Sequence, residues 1–216
     1  MKFEYLAGAV IHDLKNQLQT LLACEEEALA KIPQEYHSYL SPIWQKTNRL
    51  QNDTLQMMLL FRMEKEGGFP LDDAWPYDTA LEAIEASQAQ FPNVRFENSI
   101  EEEIQGIYND DLVRLALMTL ITNSVQAGAT RIKLSASDDG ELVIRVEDNG
   151  PGFDQAILNG EEITTKPGGS GVGLYLVRKI AEMHGISEQD GRVTCSNRPK
   201  GGAEVCMHLP CALQTA

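Results

Sequence analysis

Three stretches of the 216-residue chain carry side chains whose types and spacing could do chemistry. The longest is Thr164-Thr165-Lys166-Pro167-Gly168-Gly169-Ser170-Gly171-Val172-Gly173-Leu174, which runs into a helical pattern. Its glycines leave backbone N–H groups free to ring a phosphate, and the helix start behind them adds partial positive charge. It is not the GxxxxGK[ST] loop of P-loop proteins, nor does it occupy the early strand–turn–helix position of a dinucleotide-binding fold. The second stretch, Asp148-Asn149-Gly150-Pro151-Gly152-Phe153, directly follows a strand pattern. Glycines flanking a proline make a tight turn whose backbone can approach a flat ligand, and Asp148 can accept a hydrogen bond from an exocyclic amine such as that of adenine. The third is Asn123, near the end of a helical pattern, whose amide oxygen is a hard ligand suited to a Mg²⁺ otherwise held by phosphate and water. Singly, each has a plainer reading: a linker, an Asx-capped turn, a surface asparagine. Their order, with the glycine-rich loop opening an amphipathic helix, is far more specific and points to a nucleotide.

A fourth group sits near the N-terminus: His12-Asp13-Leu14-Lys15-Asn16. At ~100° per residue, His12 lies about 200° from both Val10 and Leu14, away from their apolar stripe, with Asn16 one turn later on its own face. An exposed imidazole with an unprotonated ring nitrogen is a nucleophile toward a γ-phosphoryl group, and Asp13 could accept its proton. Such transfer wants Mg²⁺ and lid groups to neutralise charge on the departing ADP. A lone helical histidine is usually inert, so this reading leans on the nucleotide motifs. His37, His184 and His208 have no comparable setting and read as structural.

Two kinds of element must position these groups. Over roughly the first 68 residues helical periodicity is continuous, with Leu6, Val10, Leu14, Leu18 and Leu21 along one stripe. A second stripe alternates spacings of three and four through Leu40, Ile43, Thr47, Leu50, Thr54, Met57 and Phe61, a coiled-coil-like seam. Pro33 separates the two. Ser41-Pro42 reads either as an N-cap with proline at the first helical position or as a kink within one longer helix. A lone hairpin of this size buries too little, so residues 1–68 are expected to pair with a second copy as a dimeric four-helix bundle; packing on the second half of the same chain is the alternative.

Residues 73–212 alternate helices and strands. Helices are expected over 78–90, 110–127 and 173–184, and strands over 94–100, 130–137, 141–148, 192–197 and 203–209, with Asp139-Gly140 as a hairpin turn. The fold class is therefore α+β: a helical hairpin followed by an α/β sandwich with a mostly antiparallel sheet. A formal charge of −14, from 18 Lys+Arg against 32 Asp+Glu, argues against nucleic acid as a partner. No apolar run approaches a membrane span and no signal peptide is visible, so a cytoplasmic location without membrane contact is expected. Cys24, Cys195, Cys206 and Cys211 show no metal-binding spacing and suit reduced thiols; Cys195 and Cys206 fall on strands that could be neighbours, which leaves a redox role open.

NSVQAGA, VEDNGPGF and TTKPGGSGVGLYLVRKIAEMHG resemble the N, G1 and G2 boxes of the ATP-binding domain of sensor histidine kinases, a group related to gyrase, Hsp90, MutL and anti-sigma kinases. The resemblance runs from about Asp110 to Pro210 and implies a Bergerat-type fold with ATP and Mg²⁺ as cofactors. By position, Asn123 would hold Mg²⁺, Asp148 would bind the adenine amine, and Gly150 and Gly152 would shape the base pocket. Gly169, Gly171, Val172, Gly173 and Leu174 would lie in or beside a lid over the phosphates, with Lys166 as a phosphate contact. HDLKN resembles the H-box, which makes His12 the phosphoacceptor, Asp13 the general base and Asn16 the group that positions water for dephosphorylating a response regulator. There are departures: Thr119 and Gln126 replace a frequent Asn and Lys, the Phe-x-Pro-Phe stretch between G1 and G2 gives way to Ile157–Glu162, and Gln17 follows the H-box in place of proline.

The implied activity is a homodimeric protein histidine kinase. It would autophosphorylate His12 from Mg-ATP and pass the phosphoryl group to an aspartate of a response regulator receiver domain, with phosphatase action as a further capacity. It would take its input from a separate sensor protein, or be the catalytic part of a longer chain. Two alternatives share these motifs: a dimeric phosphotransfer or scaffold protein with a weakened ATP domain, and an anti-sigma-type Ser/Thr kinase that would not need His12.

Overall fold

In the computed structural model the helical periodicity becomes two long helices, α1 (Phe3–Lys31) and α2 (His37–Glu66), joined at Pro33 and a 3₁₀ turn over Gln34–Tyr36. The structure describes residues 3–66, 69–158, 172–186 and 189–210. The chain divides into two units, Met1–Gly67 and Gly68–Ala216. Pro33 is extended (φ −58°, ψ 143°) and its carbonyl accepts from the Tyr36 N–H at 2.9 Å, which ends α1 and starts the turn. Pro42 lies inside α2. Ser41-Pro42 is therefore no helix start; the longer-helix alternative is the one adopted, because a proline forfeits one i→i−4 bond, here to the Ser38 carbonyl, without ending a helix held on both sides.

The two apolar stripes divide differently from a single buried seam. Within the hairpin Leu18 and Leu22 of α1 are buried, as are Thr47 and Thr54 of α2. Thr47 donates its hydroxyl to Glu25 Oε1 at 2.9 Å, so a polar pair bridges the helices. The alternate positions of the same repeat stay uncovered: Ile43, Leu50 and Met57 are each about half exposed (51%, 49% and 48%), as are Val10, Leu14 and Leu21 on α1. The α1 stripe is thus corrected: Leu22, not Leu21, joins Leu18 inside.

In the second unit β1 (Asp72–Ala74), α3 (Pro76–Gln90), β2 (Arg95–Asn98), β3 (Gly106–Tyr108) and α4 (Asp110–Gln126) precede the hairpin of β4 (Arg131–Ser137) and β5 (Glu141–Asp148). α5 (Gln155–Leu158), α6 (Val172–Met183), β6 (Arg192–Asn197) and β7 (Ala203–Pro210) follow. The main sheet has the order β2-β4-β5-β7-β6, parallel only between β2 and β4, while β1 and β3 form a separate antiparallel pair. One sheet face, with Ile132, Ile144, Val146 and Met207, shares a core with Leu117 and Ile121 of α4 and Leu176 and Ile180 of α6. This two-layer α+β arrangement with a mixed sheet is the sandwich expected from sequence. β1, β3 and α5 were not foreseen; at three or four residues each they are too short to show a period.

Local chemistry sets the helix ends that matter for the site. Asn109 caps α4 by accepting from the Leu112 N–H at 3.0 Å, with Asp110 and Asp111 in the first turn. His184, just beyond α6, is buried, accepts from the Asn109 N–H at Nε2 (3.0 Å), bonds the Ile180 carbonyl through Nδ1 (2.6 Å) and meets the Phe69 ring at 4.7 Å. Burial pulls its pKa below the usual imidazole value. It is a structural histidine.

Cys195 pairs with Val205 and Cys206 with Thr194 across β6 and β7, so the two cysteines occupy opposite faces of the sheet. Both are free thiols with pKa values raised by burial, and the redox-pair alternative does not hold. Cys211 lies outside the described residues. No helix among the described residues is long and apolar enough to cross a membrane.

Candidate functional site

Asp148 ends β5 with its side chain almost wholly buried. Its Oδ1 accepts from the Gly150 N–H (2.8 Å) and the Ala203 N–H (3.0 Å), and its Oδ2 accepts from the Ser124 hydroxyl (2.7 Å). These donors come from the following turn, from β7 and from α4. Its backbone carbonyl takes a bond from Arg198 Nη1 at 3.2 Å, while Arg198 Nε pairs with Glu147 at 2.9 Å. Behind it stands Gly202, in the left-handed region at φ +98°, where a Cβ would lie 1.9 Å from the Asp148 carbonyl oxygen. The β6–β7 turn therefore forms the back wall of this residue.

The rest of the turn is pinned at both ends. Asn149 Oδ1 accepts from the Thr130 and Arg131 N–H groups at 2.9 and 2.8 Å, and its Nδ2 donates to Thr130 Oγ1, tying the turn to the start of β4. The Phe153 N–H donates to the side-chain oxygen Oδ1 of Asn197 at 2.6 Å, and Asn197 Nδ2 donates to the Phe153 carbonyl at 2.9 Å. Gly152 has φ +85°, which favours glycine, and a Cβ there would sit 2.6 Å from Asn197 Oδ1, so the Asn197 side chain would have to shift. At Gly150 a Cβ would approach Asp148 Oδ1 at 3.2 Å.

Asn123 lies in the last turns of α4, beside Ser124. A Cβ at Gly173, the second residue of α6, would stand 3.1 Å from Asn123 Nδ2 and 3.2 Å from Thr119 Cγ2. The small residue lets the opening turn of α6 settle on the Asn123 amide. Through Ser124 and Gly173 the fold thus gathers Asp148, Asn123 and the start of α6, with Val172, Gly173 and Leu174 half-buried there. Lys166, Gly169 and Gly171 lie outside the described residues. Among the described residues no cluster of three or more His, Cys, Asp or Glu could hold a metal on its own.

His12 is exposed on α1, and the Asn16 amide Nδ2 lies 3.3 Å from its Nδ1. The carboxylate of Asp13 accepts from Gln17 Nε2 at 3.4 Å. Of the three residues expected to act together, His12 and Asn16 touch, while Asp13 is engaged by its own neighbour one turn on.

Sequence reasoning missed Ser124, Asn197, Arg198, Gly202 and Ala203. Ser124 stood inside a motif but was assigned nothing; the others belong to a segment read only as a strand–turn–strand connection. A groove of about 430 Å³ lined by Asp139, Glu141, Gln189 and Arg192 lies at the far end of β5 from Asp148. There the Arg192 guanidinium and His208 beside Glu141 hold its carboxyl at about 2.

Residues 108–213 match the family described as histidine kinase-, DNA gyrase B-, and HSP90-like ATPase. Sensor protein KdpD of Escherichia coli (strain K12) is 32% identical over 98% of this chain and 24% of its own length. The signal transduction histidine-protein kinase AtoS of the same organism is 26% identical over 96% of this chain and 34% of its own length, so the chain corresponds to a minor part of each relative. The catalytic domain of histidine kinase ThkA superposes with a TM-score of 0.56 at 19% identity, over 66% of this chain and 96% of that one. The ATP binding domain of PrrB from Mycobacterium tuberculosis gives 0.54 at 24% identity, over 66% and 98%. The structural likenesses speak for the fold, and the family match and the sequence relatives support, over residues 108–213, an ATP-binding core of the sensor histidine kinase kind.

Proposed function

We propose that the chain is the catalytic part of a two-component histidine kinase: ATP held by the second unit phosphorylates His12, and the phosphoryl group passes on to an aspartate of a response regulator. The observation that carries the nucleotide half of this reading is the buried Asp148 carboxylate, oriented by three donors from three elements. Such a carboxylate is an acceptor throughout, suited to an exocyclic amine, and Gly150 and Gly152 keep the wall beside it flat enough for a base. Asn123, packed against Gly173, would hold Mg²⁺ through its amide oxygen, a hard donor suited to an ion shared with phosphate and water. The ion would supply neutralisation of phosphate charge. Val172, Gly173 and Leu174 offer the first-turn N–H groups of α6 to the phosphates, and Lys166, Gly169 and Gly171 are assigned to the phosphates from the sequence motif alone.

In the hairpin the Asn16 amide lies 3.3 Å from Nδ1 of His12, and Nε2 is the attacking nitrogen once the ring proton sits on Nδ1, a tautomer to which Asn16 would turn its amide oxygen as acceptor. A P–N bond forms as the bond from the γ-phosphorus to the bridging oxygen breaks; ADP leaves with that oxygen's charge, and the ring proton passes to Asp13. Once the regulator is phosphorylated, Asn16 is the residue that orients water for its dephosphorylation. The uncovered half of the heptad, Ile43, Leu50 and Met57 with Val10 and Leu21, supports a second copy of the hairpin as the partner that completes a four-helix bundle.

Incubation with γ-labelled ATP and Mg²⁺, with and without a candidate receiver domain, tests the reading. Label on the wild-type chain is expected to be lost in acid and to survive base, as phosphohistidine does. His12→Gln is expected to abolish it while calorimetry shows ATP binding retained. Undiminished labelling of that variant overturns the phosphoacceptor assignment.

A further inference from the structure

We infer that Ser124 is a positioning residue for base recognition: by holding Oδ2 of Asp148 it makes the site favour a purine bearing an amine at C6 over one that lacks it. The inference rests on the nucleotide-binding reading above and extends it to a residue that lies within the motif but carries no assigned role there. A carboxylate offers about four acceptor positions. Among the described residues, two are taken on Oδ1 of Asp148 by the Gly150 and Ala203 N–H groups and one on Oδ2 by the Ser124 hydroxyl, which leaves a single position, on Oδ2.

The backbone donors anchor one oxygen only. Without Ser124 the other oxygen would have two open positions for water to occupy, and a ligand amine would compete for both. Ser124 closes one of them. In doing so it spends its only hydrogen, so that its own oxygen is left purely as an acceptor. Asp148 Oδ2 and Ser124 Oγ, 2.7 Å apart, then form an edge of acceptors. A C6 amine has two hydrogens to give to such an edge. A C6 carbonyl meets acceptor against acceptor, and a bare C6–H leaves the edge unsatisfied, which costs more than the net worth of a bond made. The placement is economical, since Ser124 follows Asn123 directly on α4 and one turn of helix addresses both the base and the metal.

The test uses the full chain and calorimetric dissociation constants, with Mg²⁺, for ATP and for purine riboside triphosphate, which lacks the amine. Wild type is expected to bind ATP more tightly than the analogue. In Ser124→Ala the affinity for ATP is expected to fall about three- to tenfold, the worth of one ordinary hydrogen bond. The analogue should change less than about twofold, so that the preference collapses. Ser124→Thr, which keeps the hydroxyl, should restore it. Ser124→Cys, of similar volume with a weaker donor, gives an intermediate ratio and serves in place of the alanine variant if that one unfolds. If the alanine or cysteine variant weakens both nucleotides equally, or leaves their ratio unchanged, the inference is overturned while the nucleotide site stands. If wild type binds neither nucleotide, the nucleotide reading itself falls.

Discussion

Two neighbouring glycines in the β6–β7 turn allow the back wall of Asp148 to be measured. Gly201 and Gly202 both lie in the left-handed region, at φ +90° and +98°. An added Cβ at Gly201 meets nothing within 4 Å, whereas at Gly202 it would fall 1.9 Å from the Asp148 carbonyl oxygen and 2.8 Å from its carbon. Gly201→Ala therefore pays only for backbone conformation, about 1–2 kcal/mol. Gly202→Ala pays that and must also displace main chain that cannot swing aside as a side-chain tip would, for a further ~1–3 kcal/mol. The displaced atoms belong to the residue whose carboxylate is set to receive the base, and the Ala203 N–H that orients it is the next group along. Gly202→Ala is thus expected to lower unfolding stability by about 1–3 kcal/mol more than Gly201→Ala and to weaken ATP binding at least tenfold. Gly201→Ala should leave ATP affinity unchanged. Urea unfolding of both variants followed by calorimetric titration with Mg-ATP reads the two effects separately. Equal destabilisation by the two substitutions, or unaltered ATP affinity in Gly202→Ala, would refute the claim that this turn shapes the site.

The hairpin face and the Glu141 ion pair each carry a further expected outcome. Leu50→Glu replaces a half-exposed leucine of the uncovered heptad with a charge that a two-fold seam would bring near its own copy; sedimentation should show at least about a hundredfold weaker dimerisation with helical content retained, and a dimer of wild-type affinity would remove this face from the interface. Glu141 is held at about 2 against an ordinary 4.5, first by Arg192 and then by His208. A carboxyl depressed in the folded state contributes stability above its unfolded pKa and loses it as pH falls through the folded one, so the urea midpoint should drop between those two values. Glu141→Gln should flatten that drop, and because Arg192 is more than half exposed the amplitude should shrink in high salt; superimposable pH curves for the two proteins would contradict the assignment.

How much of this could be read beforehand depends on how local the cause is. α4 declares itself through a cap at Asn109 or Asp110 and its apolar period, and the β4–β5 hairpin through alternation on either side of Asp139-Gly140, because those signals lie within a few residues. β1 and β3 pair across more than thirty intervening residues and are too short to alternate. The hairpin stripes are an intermediate case. The heptad was visible, but periodicity alone does not say which half of it faces α1. Transfer energies would put Ile43 and Leu50 inside before Thr47 and Thr54, and the reverse is found. Thr47 goes in because Glu25 on the opposite helix supplies an acceptor, and a paired hydroxyl no longer carries the desolvation cost that would keep it out.

The candidate site shows the same division within a single residue. Asp148 stands out in sequence because its turn is contiguous, yet what makes its carboxylate usable is not in that turn. Ser124 and Ala203 lie 24 and 55 residues away, and Arg198 lies 50 away. Gly202 looks in sequence no different from Gly201; only the folded chain distinguishes a glycine over open space from one pressed against main chain. A carboxylate held by its own turn alone would keep one oxygen free to rotate toward whatever donor arrived, and would discriminate little between bases. Holding it from α4 and β7 as well ties recognition to the closure of the sheet and helix layers on each other. Loosening those layers far from any ligand should therefore degrade base preference before it abolishes folding, which is the signature that separates a site built by tertiary contacts from one built by a loop.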